Sequence, residues 1–235
     1  MVTSSEYRPT CGSMNGHIAS VFGYLKLPLR LHGGVREKVP LRDGGQCVLH
    51  WWSDRPNCIR RPVVMIIHGI NNNSDTPYLQ YLSSRLESAG FCAVTANMRG
   101  HGHGNGITSA RLYRARCDDD VQQLAEFIRV RHPSIPALYA IGFSMGANQL
   151  CCFLATSNTS YLPHAPTRPT RLVDAAISIS NPFDLPRLNE HFKHGIAVLY
   201  TALVAQPLKK ILWEVPCRRV ACLRTALSPA ACLYV

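Results

Sequence analysis

Short continuous apolar runs alternate with amphipathic stretches through the middle of this chain. The runs are Gln46–Trp52, Pro62–Ile67, Phe91–Ala96, Ala137–Ile141 and Ala175–Ile179, each the length of a strand buried on both faces of a sheet. Within Pro77–Ala89, Leu79, Leu82 and Leu86 recur at helical spacing, with Ser74 and Asp75 available as caps ahead of Pro77. Asp118–Val130 reads as a second helix: Asp118, Asp119 and Asp120 complement the dipole in its first turn, and Arg129 and Arg131 close it. A third helix, carrying Ala147, Leu150, Phe153 and Leu154, opens after Ser144. This alternation predicts an α/β fold, a mostly parallel sheet with helices on both faces.

The same pattern divides the chain. Residues 1–40, broken by Gly12, Gly16, Gly33 and Gly34, are expected as an irregular N-terminal arm, and residues 41–184 as the α/β core. Residues 185–213 read as the start of a cap, with Ile196, Leu199, Tyr200 and Leu203 on one helix face turned inward. Residues 214–235 form an atypical tail rich in Cys, Arg and Ala.

Charge changes the picture little. The net charge is +11, but residues 1–62 contribute +5 and residues 207–235 contribute +4, so the core is nearly balanced. Basic ends can rest on anionic membrane. Nucleic acid is not expected as a partner, since no aromatic-interleaved basic stripe or recognition-helix pattern is present. Ten cysteines are scattered without a C-x-x-C pair and read as reduced, mostly buried thiols. No signal sequence or spanning segment is seen, so a cytoplasmic or peripheral-membrane location is expected.

The chemistry centres on Gly142-Phe143-Ser144-Met145-Gly146. This G-x-S-x-G pattern gains meaning from its place between an apolar strand and a helix, where a sharp turn projects a serine hydroxyl at a helix N-terminus. Gly142 and Gly146 remove side chains that would collide there. Acyl transfer also needs donors aimed at the developing oxyanion. His68-Gly69-Ile70, following the Pro62–Ile67 strand, offers the Ile70 amide, and Met145 offers the second. A serine at the turn favours an acyl-enzyme on esters, thioesters or amides. His101-Gly102-His103-Gly104 with His68 invites a zinc reading, but the spacing matches no such motif, and neither a metal nor another cofactor is expected.

These motifs, taken in order, resemble the YheT-like, embryogenesis-associated family of α/β hydrolases, also called the AB hydrolase 4 family. The matching stretches are Gly16-His17-Ile18, Arg36-Glu37 leading to Asp43-Gly44-Gly45, and His68-Gly69-Ile70 with Ser74, Asp75 and Tyr78. They continue through Asn97 to Gly102, Leu112-Tyr113, Asp120, Gly142 to Asn148, and Asn181-Pro182-Phe183-Asp184-Leu185. The chain departs from the family at Asn71, Asn72 and Asn73, at His50 and at His101.

The resemblance implies an α/β-hydrolase fold and a serine carboxylesterase or lipase, close to monoacylglycerol lipases or short-chain carboxylesterases, acting on an ester or lipid in lipid metabolism. Beyond about Trp213 it stops. Only one strand, Ala175–Ile179, follows Ser144, so the sheet is expected to be incomplete at its C-terminal end. The triad acid and histidine that the family carries on later strands have no counterpart. Asp184 is the candidate stand-in acid; Asp174 lies at the wrong edge of its strand. His164, His191 and His194 are candidate bases. The alternative is a non-catalytic family member, truncated, that at most binds acyl ligands.

Overall fold

The computed structural model describes residues 33–53, 60–115, 118–195 and 197–213. The expectations for the arm before residue 33, including Gly16-His17-Ile18, and for the tail 214–235 lie outside the described residues. Among the described residues eight strands are formed: β1 (Val35–Pro40), β2 (Gln46–Trp51), β3 (Val63–Ile67), β4 (Cys92–Asn97), β5 (Leu138–Phe143), β6 (Thr159–Leu162), β7 (Ala165–Arg171) and β8 (Ala175–Ile179). Five helices of the described residues accompany them: α1 (Pro77–Ser88), α2 (Asp118–Arg131), α3 (Met145–Thr156), α4 (Leu185–His191) and α5 (Ala197–Trp213).

The main sheet has six strands in the order β1-β2-β4-β3-β5-β8. β3 lies parallel to β4 and β5, and β5 parallel to β8, while β1 and β2 run antiparallel. Every residue of Val63–Ile67 is buried, as a central parallel strand covered on both faces requires. The pleat sorts them: Val64 and Ile66 pack with Leu79 of α1, whereas Met65 and Ile67 join Leu124 and Ile128 of α2 and Leu150 and Phe153 of α3. Helices therefore cover both faces. Each parallel strand delivers its C-terminal end to the same edge, where the loops carrying His68, Arg99 and Ser144 gather.

Several local expectations are corrected. Val35–Pro40, read as part of an irregular arm, is strand β1; Val39 is buried in the core and the register runs from Val35 opposite Trp51 to Pro40 opposite Gln46. β6 and β7 form a separate two-stranded hairpin, hidden in the sequence because Pro163, Pro166 and Pro169 break its pattern. Helix α1 is capped at Thr76 rather than by Ser74 or Asp75. Ser74 is buried instead, its amide donating to Asn97 Oδ1 (2.7 Å), and Asp75 pairs with Arg36 at 3.0 Å.

Two of the acids opening α2, Asp119 and Asp120, are bound to arginines as well as facing the helix dipole. Asp120, fully buried, accepts from Arg99 Nε (2.6 Å) and Nη2 (2.7 Å), and Asp119 pairs with Arg111 at 2.7 Å. Arg99 also reaches Asp43 at 2.9 Å, which ties the β1–β2 turn to the loop after β4. Cys47, Cys151 and Cys152 are thiols outside any disulfide, whereas Cys92 is disulfide-bonded, which corrects the expectation of reduced cysteines at that position.

β8 pairs with β5 along one side and has no second neighbour among the described residues. All five of its residues are exposed, Ile177 to 56% and Ile179 to 37%. Among the described residues no helix is long and apolar enough to cross a membrane.

Candidate functional site

Ser144 stands between β5 and α3 with φ 51 and ψ −116, a conformation that a residue with a Cβ rarely adopts. Its neighbours force this turn. A Cβ on Gly142 would lie 2.6 Å from Ala147 Cα and from Gly146 O, and one on Gly146 would lie 2.5 Å from His68 O and 2.6 Å from Ile67 O. The strand can therefore pass into the helix only with hydrogen at both positions. The Ser144 carbonyl accepts from Asn148 N (3.1 Å), which starts α3, and its amide donates to Ile179 O of β8 (2.9 Å).

The turn after β3 abuts this elbow. A Cβ on Gly69 would lie 3.2 Å from Ser144 Cβ, so glycine lets the two turns meet. His68, fully buried, anchors the turn: the Met98 amide donates to its Nε2 (3.1 Å), leaving Nδ1 as the protonated nitrogen that donates to Gly69 O (2.6 Å). Burial, aided by nearby His101, pushes its pKa down to about 3, so the ring is neutral. Both ring nitrogens of His68 are thus engaged, and His103 is exposed beside Asp75 at 3.6 Å. Tyr113 donates its hydroxyl to His68 O (2.5 Å), and its ring packs 5.1 Å from His68. Burial raises the Tyr78 pKa to about 12; its hydroxyl accepts from Asn72 Nδ2 at 3.3 Å.

Ile70, Ser144 and Met145 line one cavity of about 400 Å³, roofed by Leu185 and Leu188 of α4, by Phe192, and by Val204 of α5. Neither the Ile70 amide nor the Met145 amide has an acceptor among the described residues. The cavity thus brings an apolar wall together with Ser144 and with Ile70 and Met145, whose amides have no acceptor among the described residues. Of the cap residues, Phe192 and Val204 face the cavity and Val198 is exposed to 47%. The inward orientation expected of Ile196, Leu199, Tyr200 and Leu203 lies outside the described residues.

The other candidates are not brought together. Asp184 is exposed and caps α4, accepting from the Arg187 amide at 2.9 Å. Asp174 holds Arg129 (2.6 Å) and the Leu138 amide (2.8 Å) at the opposite edge of the sheet. His164, His191 and His194 are exposed. Ser144 Oγ has no hydrogen-bond partner among the described residues. Two features escaped sequence reasoning: the buried Arg99–Asp120 pair, and Asn71, with its φ of 59 and its bond to α5.

Residues 62–204 match the family described as alpha/beta hydrolase fold. The chain is similar to the embryogenesis-associated protein EMB8 of Picea glauca, 26% identical over 84% of this chain and 43% of that one. It is also similar to the monoacylglycerol lipase ABHD2 of Danio rerio, 23% identical over 90% of this chain and 48% of that one. In three dimensions it is similar to the Pyrococcus furiosus esterase Pf2001, with a TM-score of 0.54 and 17% identity over 76% of this chain and 66% of that one. The chain spans about half the length of the curated relatives it matches.

Proposed function

Because this chain belongs to the alpha/beta hydrolase fold family, we propose that it carries serine-hydrolase chemistry of the carboxylesterase or lipase class, with Ser144 as nucleophile. One observation carries the reading: a serine held at φ 51 lines the same cavity as Ile70 and Met145, whose amides have no acceptor among the described residues. Ser144 Oγ attacks the acyl carbonyl, and the Ile70 and Met145 N–H groups receive the oxyanion. Collapse expels the alcohol and leaves an acyl-enzyme, which water then hydrolyses. The largely apolar lining suits an acyl chain. Distant relatives that include a monoacylglycerol lipase support an ester or lipid as substrate, and the basic chain suits peripheral contact with anionic membrane.

A second reading is acyl binding without turnover. It is favoured by the absence, among the described residues, of an imidazole on Ser144 Oγ. Without a base the hydroxyl is a weak nucleophile, and loss of triad function costs on the order of 10⁶ in turnover.

The test is fluorophosphonate labelling together with p-nitrophenyl ester turnover on the purified chain and on Ser144→Ala. Labelling that vanishes in Ser144→Ala, with turnover far below that of a complete triad, is expected. No labelling, with retained binding of a fluorescent fatty acid, selects the second reading; neither labelling nor binding refutes both.

A further inference from the structure

We propose that Asn71 is a positioning residue: its side chain latches α5 over the cavity, and its backbone fixes the turn that holds the Ile70 amide beside Ser144. The proposal rests on the serine-hydrolase reading above. Asn71 Nδ2 donates to the carbonyl of Val204 at 2.7 Å, joining positions 133 residues apart. Val204 forms part of the cavity wall and Asn71 directly follows Ile70. One side chain therefore links the roof of the pocket to the backbone of its donor turn.

The residue type suits both tasks. At φ 59 Asn71 occupies the left-handed region, which glycine and asparagine tolerate. Glycine would satisfy the backbone alone; asparagine adds a donor. Its Oδ1 is buried without a partner among the described residues, so among them this single bond orients the amide. The acceptor belongs to a weakened turn, because Pro207 inside α5 removes one helical hydrogen bond next to Val204.

A second contact sets where α5 lies. A Cβ on Gly100 would come within 3.1 Å of Ile211 Cγ2, so α5 packs closely on the loop after β4 as well as on the loop after β3. The Gly100 contact is apolar and tolerant of small shifts, whereas the Asn71 bond is directional. Releasing it frees the Val204 end of α5 to move, and relaxes the turn whose amide must meet the oxyanion. Misplacing a positioned group by about 1 Å can cost on the order of 100-fold in rate.

Asn71→Gly deletes the donor while keeping a backbone compatible with φ 59. Asn71→Asp keeps the shape but sets a carboxylate against the Val204 carbonyl oxygen; once protonated, its O–H can donate to that oxygen. Two readouts are followed on the full chain at pH 8 and pH 5: deuterium uptake by the backbone amides of α5, and the rate of fluorophosphonate labelling at Ser144. In Asn71→Gly, uptake rises and labelling slows by about 5- to 10-fold at both pH values, the equivalent of one net hydrogen bond. Asn71→Asp matches or exceeds this loss at pH 8 and recovers towards wild type at pH 5. Unchanged uptake in both variants overturns the latch. Raised uptake with unchanged labelling overturns the positioning role. If wild type is not labelled at all, the hydrolase reading falls, and the pH-reversible uptake of Asn71→Asp alone upholds or overturns the latch.

Discussion

The amide of Ser144 donates to the carbonyl of Ile179 across 2.9 Å, so the turn bearing the candidate nucleophile is tied to the last strand of the sheet among the described residues. Ile177 and Ile179 are exposed there on a strand that has no second neighbour among the described residues. Such an edge templates pairing with another chain. The protein is expected to associate as its concentration rises, and Ile177→Lys is expected to suppress this. Sedimentation velocity over a dilution series decides; identical profiles for the two proteins would count against the edge as the cause.

The backbone at Ser144 stores strain that a glycine would release. Strain of this kind is worth about 1–3 kcal/mol, partly offset by the greater freedom of glycine in the unfolded chain. Ser144→Gly should raise stability by about 1 kcal/mol, whereas Ser144→Ala, which keeps its Cβ, should not. Urea unfolding midpoints of the three proteins measure it, and equal gains in both variants would remove strain as the explanation.

Asp120 and Arg99 are both almost wholly buried and face each other through two hydrogen bonds. Removing one partner of a buried pair costs about 3–5 kcal/mol when no other counter-charge is present, and Arg99, which keeps Asp43 at 2.9 Å, sets the expectation at the lower end of that range. Asp120→Asn is therefore expected to destabilise by that amount. Arg99→Lys, losing the planar fork but not the charge, should cost less. A loss below 1 kcal/mol in Asp120→Asn, by urea unfolding, would contradict the pairing.

Stability should fall as the solution is acidified below about pH 6.5. His68 stays neutral in the fold down to about pH 3, while in the unfolded chain it takes a proton near 6.5. Between those values the unfolded state binds more protons, so stability is complete above 6.5 and declines by up to about 1.4 kcal/mol per pH unit towards 3. His101, whose pKa burial also lowers, adds in the same direction. His68→Gln should flatten the slope between pH 6 and 5; an unchanged slope would assign the acid sensitivity to other groups.

The sequence made the central strands legible because Val63–Ile67 and Leu138–Phe143 are buried on both faces and therefore apolar at nearly every position. β1 was harder to read, since only Val39 of its six residues is fully buried and its partner is fixed by register rather than composition. The elbow was legible because its steric demands fall on consecutive residues. Asn71 and Val204, or Arg99 and Asp120, meet through the fold across many intervening positions, and no local pattern announces such pairs. The partner of Ser144 Oγ poses the same difficulty, for a base is defined by distance in space.

Asn105 offers its amide to the carbonyls of Asn97, Met98 and His101 at 2.8–2.9 Å and is only 3% exposed. It precedes Gly106, and an asparagine followed by glycine is the pairing most prone to cyclise and lose its side-chain amide. Within the fold these bonds hold the Asn105 side chain in one orientation. Each excursion to the unfolded state exposes it to that ageing reaction. Once aspartate replaces it, a negative oxygen faces three carbonyl oxygens, and the loop after β4 cannot close as before. For this chain, time spent unfolded leaves a covalent record.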